Sequence, residues 1–362
     1  MKFSLPVWKL RHGTARGWRV WWLAAVGLSA CIGLVAPAAV FAAAPPITRS
    51  FCLFDPVGQN GPINQEMETY AIAALQWGVH LTYHTYSNEA VAAADFSSGK
   101  CDSVGFTGLR NMHFIKFAGS IDMLGGLQTY KEERTAIEVM LTPKAAPYLT
   151  QNGVELAGIL PGGKVFLFAR NREDLSNLSK AAGKKVAILN ADPQALAFSN
   201  IAGASAVNAT IATFGPMFNN GSVDYAYAPS FAFFALELYK GLGTQGGIAD
   251  YPLAMMSVQM DIHKDRFPPG FARKSRMWVY QNLLPKAIKL EKGFDARIPK
   301  KYWVHISQQR VVKYDALLVK IRQHLWETGH YDHRMQHLLK EIRCKNNPQL
   351  AECSENTEGG PA

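Results

Sequence analysis

The chain has 362 residues, of which 48% are hydrophobic and 18% are charged, and this length is enough for two lobes around a sizeable core. Its formal net charge of +10 falls to +5 when the five basic residues among the first 44 are set aside. The remaining basic residues, concentrated in residues 263–345, do not form the dense basic tract of a nucleic-acid binder, so we expect no nucleic-acid partner.

Residues 1–44 have the features of a secretory signal peptide. Basic residues without any acidic residue precede an apolar run over residues 21–41, and small residues follow at its end. We therefore expect export to the periplasm. An uncleaved N-terminal anchor is the alternative, and a lipoprotein attached at Cys31 ranks third because the residues after it stay apolar. No other segment approaches the roughly 20 apolar residues that a membrane-spanning helix needs.

Strand and helix patterns alternate in the first part of the mature chain. Strand patterns occur at residues 50–54, 79–86 and 102–108. Helical spacing occurs between them, at residues 62–78 and 88–99, and a Gly ends each of these two helical patterns. Strand, helix, strand, helix, strand in this order predicts a right-handed parallel α/β arrangement.

A second α/β unit follows. Residues 163–169 predict a strand that crosses between lobes, residues 185–189 and 223–228 predict further strands, and residues 193–202 predict a helix. Residues 254–260 are expected to return to the sheet.

The remainder of the chain is mostly helical from residue 269 to residue 345, and residues 354–362 are polar and rich in Gly and Pro, which predicts a frayed end. The sequence therefore predicts an α/β fold of two lobes, with a ligand-binding cleft between them and a helical C-terminal region. The expected organisation is a signal peptide (1–44), lobe I (45–165), lobe II (166–260), a helical C-terminal region packed on the lobes (261–345) and a tail with a disulfide clasp (346–362).

Four cysteines remain after the leader, an even number that favours disulfides in an oxidising compartment. Cys344 and Cys353 are close in sequence, with Pro348 between them, so a local clasp is expected there. Cys52 and Cys101 would form the second pair. Free buried thiols are the alternative, and a zinc site is disfavoured because no CxxC spacing exists.

Three stretches carry a family likeness, and their order along the chain is more specific than any one of them. They are Asn-Glu-Ala-Val-Ala-Ala-Ala-Asp-Phe (88–96) continuing into Gly-Lys-Cys-Asp (99–102), Glu-Asp-Leu (173–175) followed by Gly-Lys-Lys-Val (183–186), and Gly-Ala (203–204) followed by Phe-Asn-Asn-Gly-Ser-Val-Asp (218–224). With these stretches the chain resembles TRAP-type (DctP-like) periplasmic solute-binding proteins. Residues 51–55 and 107–110 are similar to a divergent AdeT-like branch, which often carries the label of an RND-type efflux pump component.

This resemblance implies a two-lobed fold of the periplasmic-binding-protein type (type II) with an interlobe cleft. It also implies a small-molecule solute, and an inner-membrane transporter or efflux component as partner. In the DctP-like family an arginine in the strand after the "LKI" motif binds a ligand carboxylate through a bidentate fork. The matching position here is Ala187, so a dicarboxylate ligand is not implied. A proton-driven pump needs many spanning helices, and this chain has one apolar segment.

Candidate ligand-binding residues lie in or directly after predicted strands, or precede a predicted helix, where side chains can reach a cleft. They are Asp55, Thr107, Arg110, Arg170, Asn190, Asp192, Tyr225 and Tyr227. Arg110 and Arg170 could replace the missing fork, although a surface ion pair is the competing interpretation for each. Asp55 and Asp192 could equally act as a turn former and a helix cap.

The sequence carries no catalytic motif, and we expect no enzyme activity, no cofactor and no metal. A GxGxxG spacing at residues 241–246 follows a helix rather than a strand, and His330, His333 and His337 fit a solvated helix face. The leading hypothesis is an exported solute-binding protein that captures a small polar or anionic solute in the interlobe cleft for a membrane transporter. The alternative is an accessory envelope protein associated with efflux and drug resistance that binds no small ligand.

Overall fold

The computed structural model describes residues 45–176, 178–190 and 192–359. The expected signal peptide lies outside the described residues. Among the helices of the described part, none has the length and apolar composition needed to span a bilayer.

Eleven strands form one mixed sheet in the described part of the chain. They are β1 (Ile47–Phe54), β2 (Val79–Tyr86), β3 (Ser103–Thr107), β4 (Thr150–Gln151), β5 (Val154–Ala169), β6 (Lys185–Leu189), β7 (Ser205–Ala209), β8 (Tyr225–Pro229), β9 (Gly247–Ala249), β10 (Ala254–His263) and β11 (Trp303–Val304).

Helices cover the sheet and make up most of the C-terminal region. They are α1 (Pro62–Gln76), α2 (Glu89–Ser97), α3 (Gly108–Asn111), α4 (Lys116–Gly119), α5 (Tyr130–Met140), α6 (Pro193–Ala202), α7 (Ile211–Asn219), α8 (Ala232–Ala235), α9 (Tyr239–Leu242), α10 (Phe271–Asn282), α11 (Leu284–Arg297), α12 (Gln308–Glu327) and α13 (His333–Asn346).

The main strand order is β2-β1-β3-β10-β5-β8-β6-β7. β1 pairs parallel with β2 and with β3, which confirms the parallel arrangement predicted for the first unit. At the other end of the sheet β6 pairs parallel with β7 and with β8. The two parallel groups are joined by antiparallel pairings of β10 with β3 and β5, and of β5 with β8.

Two strands run through both halves of the sheet. β5 and β10 pair from Val154 opposite His263 to Val165 opposite Ala254, and β5 continues to pair with β8 as far as Ala169. The expected lobe boundaries at residues 165 and 260 therefore fall inside these strands. A register shift between Met256 and Ser257 marks a bulge in the pairing.

Local sequence explains where the helices that flank the cleft begin. The Asn88 side chain accepts a hydrogen bond from the Ala90 backbone N–H and caps α2. Asp192 does the same for α6 through the Ala195 N–H, and Pro193 supplies a helix-compatible φ at the first position. Both caps place a polar side chain at the carboxyl side of a strand.

Both expected disulfides are present. Cys52 in β1 is joined to Cys101 just before β3, with a Cα–Cα distance of 5.9 Å. Cys344 in α13 is joined to Cys353, with a Cα–Cα distance of 5.6 Å. The first links neighbouring strands of lobe I, and the second holds the C-terminal segment on α13.

The expectation of a frayed C-terminal end was wrong as far as Gly359. Glu358 is buried, and its carboxylate accepts hydrogen bonds from Arg322 Nε at 2.5 Å and Arg343 Nη2 at 2.7 Å. The Glu352 carboxylate forms ion pairs with the same two guanidinium groups. The polar composition of this segment reflects buried ion pairs as well as solvent exposure.

Candidate ligand-binding site

A cavity of about 170 Å³ lies between the two parallel ends of the sheet. Phe54 and Thr107 at the ends of β1 and β3 border it from one side, and Val186, Leu189 and Tyr227 of β6 and β8 border it from the other. Most of the remaining lining is aliphatic or aromatic. An apolar cavity with a few polar groups is the usual form of a small-molecule site.

A second cavity of about 110 Å³ adjoins the first. The residues that line both are Phe54, Pro56, Thr107, Phe231 and Met256. The second cavity continues under α1 and α11, away from β6 and β8.

Two buried carboxyl groups reach the first cavity from lobe I. Glu89 Oε1 accepts a hydrogen bond from the Thr107 N–H at 2.6 Å, and burial raises the pKa of Glu89. Asp122 accepts from the backbone N–H of Ser257 at 3.1 Å and from its Oγ–H at 2.5 Å. Burial raises the pKa of Asp122 to about 7.

A carboxyl–phenol pair borders the cavity from lobe II. Tyr227 Oη donates to Asp192 Oδ2 at 2.6 Å and accepts from the Leu189 N–H at 3.2 Å. Because Asp192 also caps α6, this pair ties β6, β8 and the helix together. Burial raises the pKa of Asp192.

The second cavity contains a carboxyl group that has no counter-ion among the described residues. Glu291 of α11 is 7% exposed, and its Oε2 has no hydrogen-bond partner in the described part of the chain. Burial, with a smaller contribution from Asp295, raises the pKa of Glu291 to about 8. Glu66 lines the same cavity and lies 3.6 Å from Lys286 Nζ.

Four of the residues proposed from sequence line these cavities. Thr107, Asp192 and Tyr227 line the first, and Thr107 and Asp55 line the second. The Asp55 carboxylate accepts from the backbone N–H groups of Val57 and Ile63, so it fixes the loop before α1.

The two arginines proposed to replace the family fork lie outside the lining of both cavities. Arg110 Nε is 3.5 Å from Oε2 of Glu89, which lines the first cavity. Arg170 Nη1 donates to the carbonyl oxygens of Phe218 at 2.8 Å and Gly241 at 3.3 Å.

Asn190 and Tyr225 also lie outside both linings. Asn190 is exposed, and its backbone N–H donates to the Ala209 carbonyl. Tyr225 is buried at the start of β8 and lines neither cavity. Residues two apart in a strand share a face, so its distance along the strand, rather than its side, separates it from Tyr227.

Sequence reasoning missed Glu89, Asp122 and Glu291. Glu89 directly follows the recognised cap Asn88, so its position at a helix start was a usable signal. Asp122 lies in a 3-10 turn and Glu291 in an amphipathic helix, where neither spacing nor neighbours indicate a cleft. Among the described residues no group of three or more His, Cys, Asp and Glu is placed to hold a metal ion.

A mixed sheet whose two halves enclose an apolar cavity with a few buried polar groups defines a two-lobed binding protein. A family model described as "Solute-binding protein AdeT 1/2" matches residues 46–358, and the chain belongs to this family. The resemblance inferred from the motifs is thereby confirmed.

Two relatives come from Acinetobacter baumannii. "Probable solute-binding protein AdeT1" is 37% identical over 306 residues, covering 84% of this chain and 100% of the relative. "Probable solute-binding protein AdeT2" is 26% identical over 238 residues, covering 65% of this chain and 98% of the relative.

Solved structures of TRAP periplasmic solute-binding proteins share the fold. The protein from Desulfovibrio salexigens with bound orotic acid has a TM-score of 0.67 at 12% identity, covering 82% of this chain and 97% of its own. The protein from Desulfovibrio desulfuricans with bound sn-glycerol-3-phosphate has a TM-score of 0.67 at 12% identity, covering 86% and 99%. The two-lobed fold predicted from sequence is confirmed.

Proposed function

We propose that this protein captures a small solute in the first cavity, closes its lobes around it and delivers it to a membrane transporter without chemical change. The observation that carries the proposal is the apolar cavity between the two ends of the sheet, lined by Thr107, Asp192 and Tyr227. Solute-binding proteins act by such capture, and their solutes lie where lobes meet.

The proposed place of action is the periplasm, reached through residues 1–44 acting as a signal peptide. The two disulfides fit an oxidising compartment. An intact-mass measurement on protein recovered from the cell envelope checks this: loss of about 44 N-terminal residues is expected, and a full-length mass would favour an N-terminal anchor.

Thermal melting against a library of organic acids, amino acids, amines and sugars tests solute capture. A solute at about 100-fold above its dissociation constant should add roughly 2.7 kcal/mol to the free energy of unfolding. If no compound in the library shifted the melting temperature, solute capture would be contradicted and an accessory envelope role without a small ligand would be favoured.

A pair of phenylalanines in the same segment supplies the control. Phe231 lines both cavities, whereas Phe234 is 39% exposed and lines neither. Phe231→Ala should weaken the solute-induced shift because it removes apolar contact area, and Phe234→Ala should leave it unchanged. Equal effects of the two variants would place the solute elsewhere.

A further inference from the structure

Acidic groups dominate the ionisable lining of the two adjoining cavities. Glu89, Asp122 and Asp192 line the first. The second is lined by Asp55, Glu66 and Glu291, and Lys286 is the one cationic side chain among the described lining residues of the two cavities. A bound anion would therefore have one cationic partner and would be repelled by each carboxyl group that is ionised, which disfavours it.

Most of these carboxyl groups already have donors. Glu89 and Asp122 accept backbone hydrogen bonds, and Asp192 accepts from Tyr227. Glu66 Oε2 has no hydrogen-bond partner in the described part of the chain, but Lys286 Nζ lies 3.6 Å from it as a counter-charge. Glu291 differs from it because its buried Oε2 has neither a hydrogen-bond partner nor a cation beside it among the described residues.

The described neighbours of Glu291 do not supply the missing donor. The Tyr130 hydroxyl donates to Asp295 Oδ2 at 3.3 Å, and Glu133 is a further buried carboxyl group whose two oxygens lack partners in the described part of the chain. Asp295 is one helical turn further along α11 and is itself acidic, and it accepts from Ser230 Oγ at 2.5 Å. Lys164, the nearest basic candidate on β5, lies 3.9 Å from Asp295 Oδ2. On the strand side Gly163 faces Glu291 Oε2, and a β-carbon there would approach it to 2.5 Å.

Burying a carboxyl group without a partner is costly, and the cost is removed when a cation binds it. Given the solute capture proposed above, we propose that the solute is an organic cation, a protonated amine with a compact apolar body. The ammonium group binds the Glu291 carboxylate in the second cavity, and the apolar body extends past Phe231 and Met256 into the first.

The protonation chemistry agrees with this geometry. With a pKa of about 8, Glu291 keeps its proton near neutral pH while the site is empty. An ammonium group beside Glu291 favours the charged carboxylate. On binding, Glu291 therefore releases its proton to solvent and accepts a charge-assisted hydrogen bond from the ammonium group.

Three probes of similar size and different charge test the inference: 2-phenylethylamine, 2-phenylethanol and phenylacetate, titrated calorimetrically into the protein. The amine should bind at least about tenfold more tightly than the alcohol. Both probes make the same apolar contact through the phenyl ring, and the amine adds a charged hydrogen bond. Phenylacetate should bind more weakly than the alcohol. This comparison needs no variant and therefore does not depend on the folding of one.

Glu291→Gln isolates the carboxylate. The variant should lose the preference for the amine over the alcohol and keep its affinity for the alcohol. Glu68→Gln is the matched control, because Glu68 is exposed on α1 and lines neither cavity. It should keep the full preference.

Two results would overturn the inference and leave solute capture standing: phenylacetate or the alcohol binding as tightly as the amine, or Glu291→Gln retaining the preference. No binding by any of the three probes at millimolar concentration contradicts the cation inference. Solute capture itself would be contradicted only if no compound of the wider solute library shifted the melting temperature either.

Discussion

At the scale of single residues, the contact between Tyr227 and Asp192 is the one that both shapes the cavity and supports the fold. Tyr227→Phe removes the donor to Asp192 and the acceptor for the Leu189 N–H. The free energy of unfolding should fall by about 1–2 kcal/mol, measured by urea denaturation. In Tyr239→Phe, which loses a surface contact to Glu237, the change should be close to zero. Equal changes in the free energy of unfolding for the two variants would show that the hydrogen bonds of Tyr227 do not stabilise the fold more than a surface contact does.

Asp261 makes stability depend on pH in a direction opposite to that of a surface carboxylate. It is fully buried in β10, accepts from Asn111 Nδ2 at 3.1 Å and has no partner for Oδ2 among the described residues. Burial raises the pKa of Asp261 to about 8. Since this pKa exceeds the unfolded value of about 4, the folded state holds the extra proton. The contribution of Asp261 to stability is present at low pH and is lost as the pH rises toward 8.

Asp261→Asn should abolish that contribution while keeping the shape of the side chain. The difference in free energy of unfolding, variant minus original, should be at least about 1 kcal/mol more favourable at pH 7 than at pH 5. Urea denaturation at the two pH values measures it. A difference that does not change with pH would mean that Asp261 is ionised in the folded state.

At the scale of elements, the C-terminal segment is held by buried ion pairs as well as by its disulfide. Glu358→Gln leaves Arg322 and Arg343 with less negative charge around them. Removing one partner of a buried pair costs on the order of 3 kcal/mol, so chemical denaturation should show a loss of that size. Glu355→Gln changes an exposed side chain of the same segment and should show little change. If the two variants lost the same stability, the buried pairs would not hold the segment.

Alternating and terminating patterns were sufficient to predict five of the six strands of the parallel groups, and β7 was missed. β2 and β6 were predicted with the bounds that the structure has, because apolar residues and flanking glycines mark them. β5 was predicted only from residue 163. Pro161, Gly162 and Gly163 interrupt its pattern locally, and pairing with β10 across a bulge overrides them.

The site shows the same division between local and tertiary information. Thr107, Asp192 and Tyr227 follow from the rule that strand ends border the cleft of an α/β protein. Arg110 and Arg170 satisfy the same rule, but Arg110 forms an ion pair with Glu89, Arg170 donates to backbone carbonyl groups, and neither arginine lines a cavity. Glu291 could not be foreseen, because only the packing of α11 against β5 brings it to a cavity.

At the scale of the whole molecule, one sheet connects the two ends that enclose the cavity. β5 and β10 both run through the middle of that sheet, and the bulge at Met256 and Ser257 lies within their pairing. The order of strands and helices predicted a cleft and the family resemblance implied one as well, whereas the two lobe boundaries expected from sequence stay a proposal.

Native mass spectrometry of the protein mixed with the solute library tests solute capture most directly. Capture between the lobes predicts one added solute mass per chain, reduced in Phe231→Ala and retained in Phe234→Ala, since only Phe231 lines the cavities. No added mass from any solute, or an added mass that Phe231→Ala leaves unchanged, would contradict it.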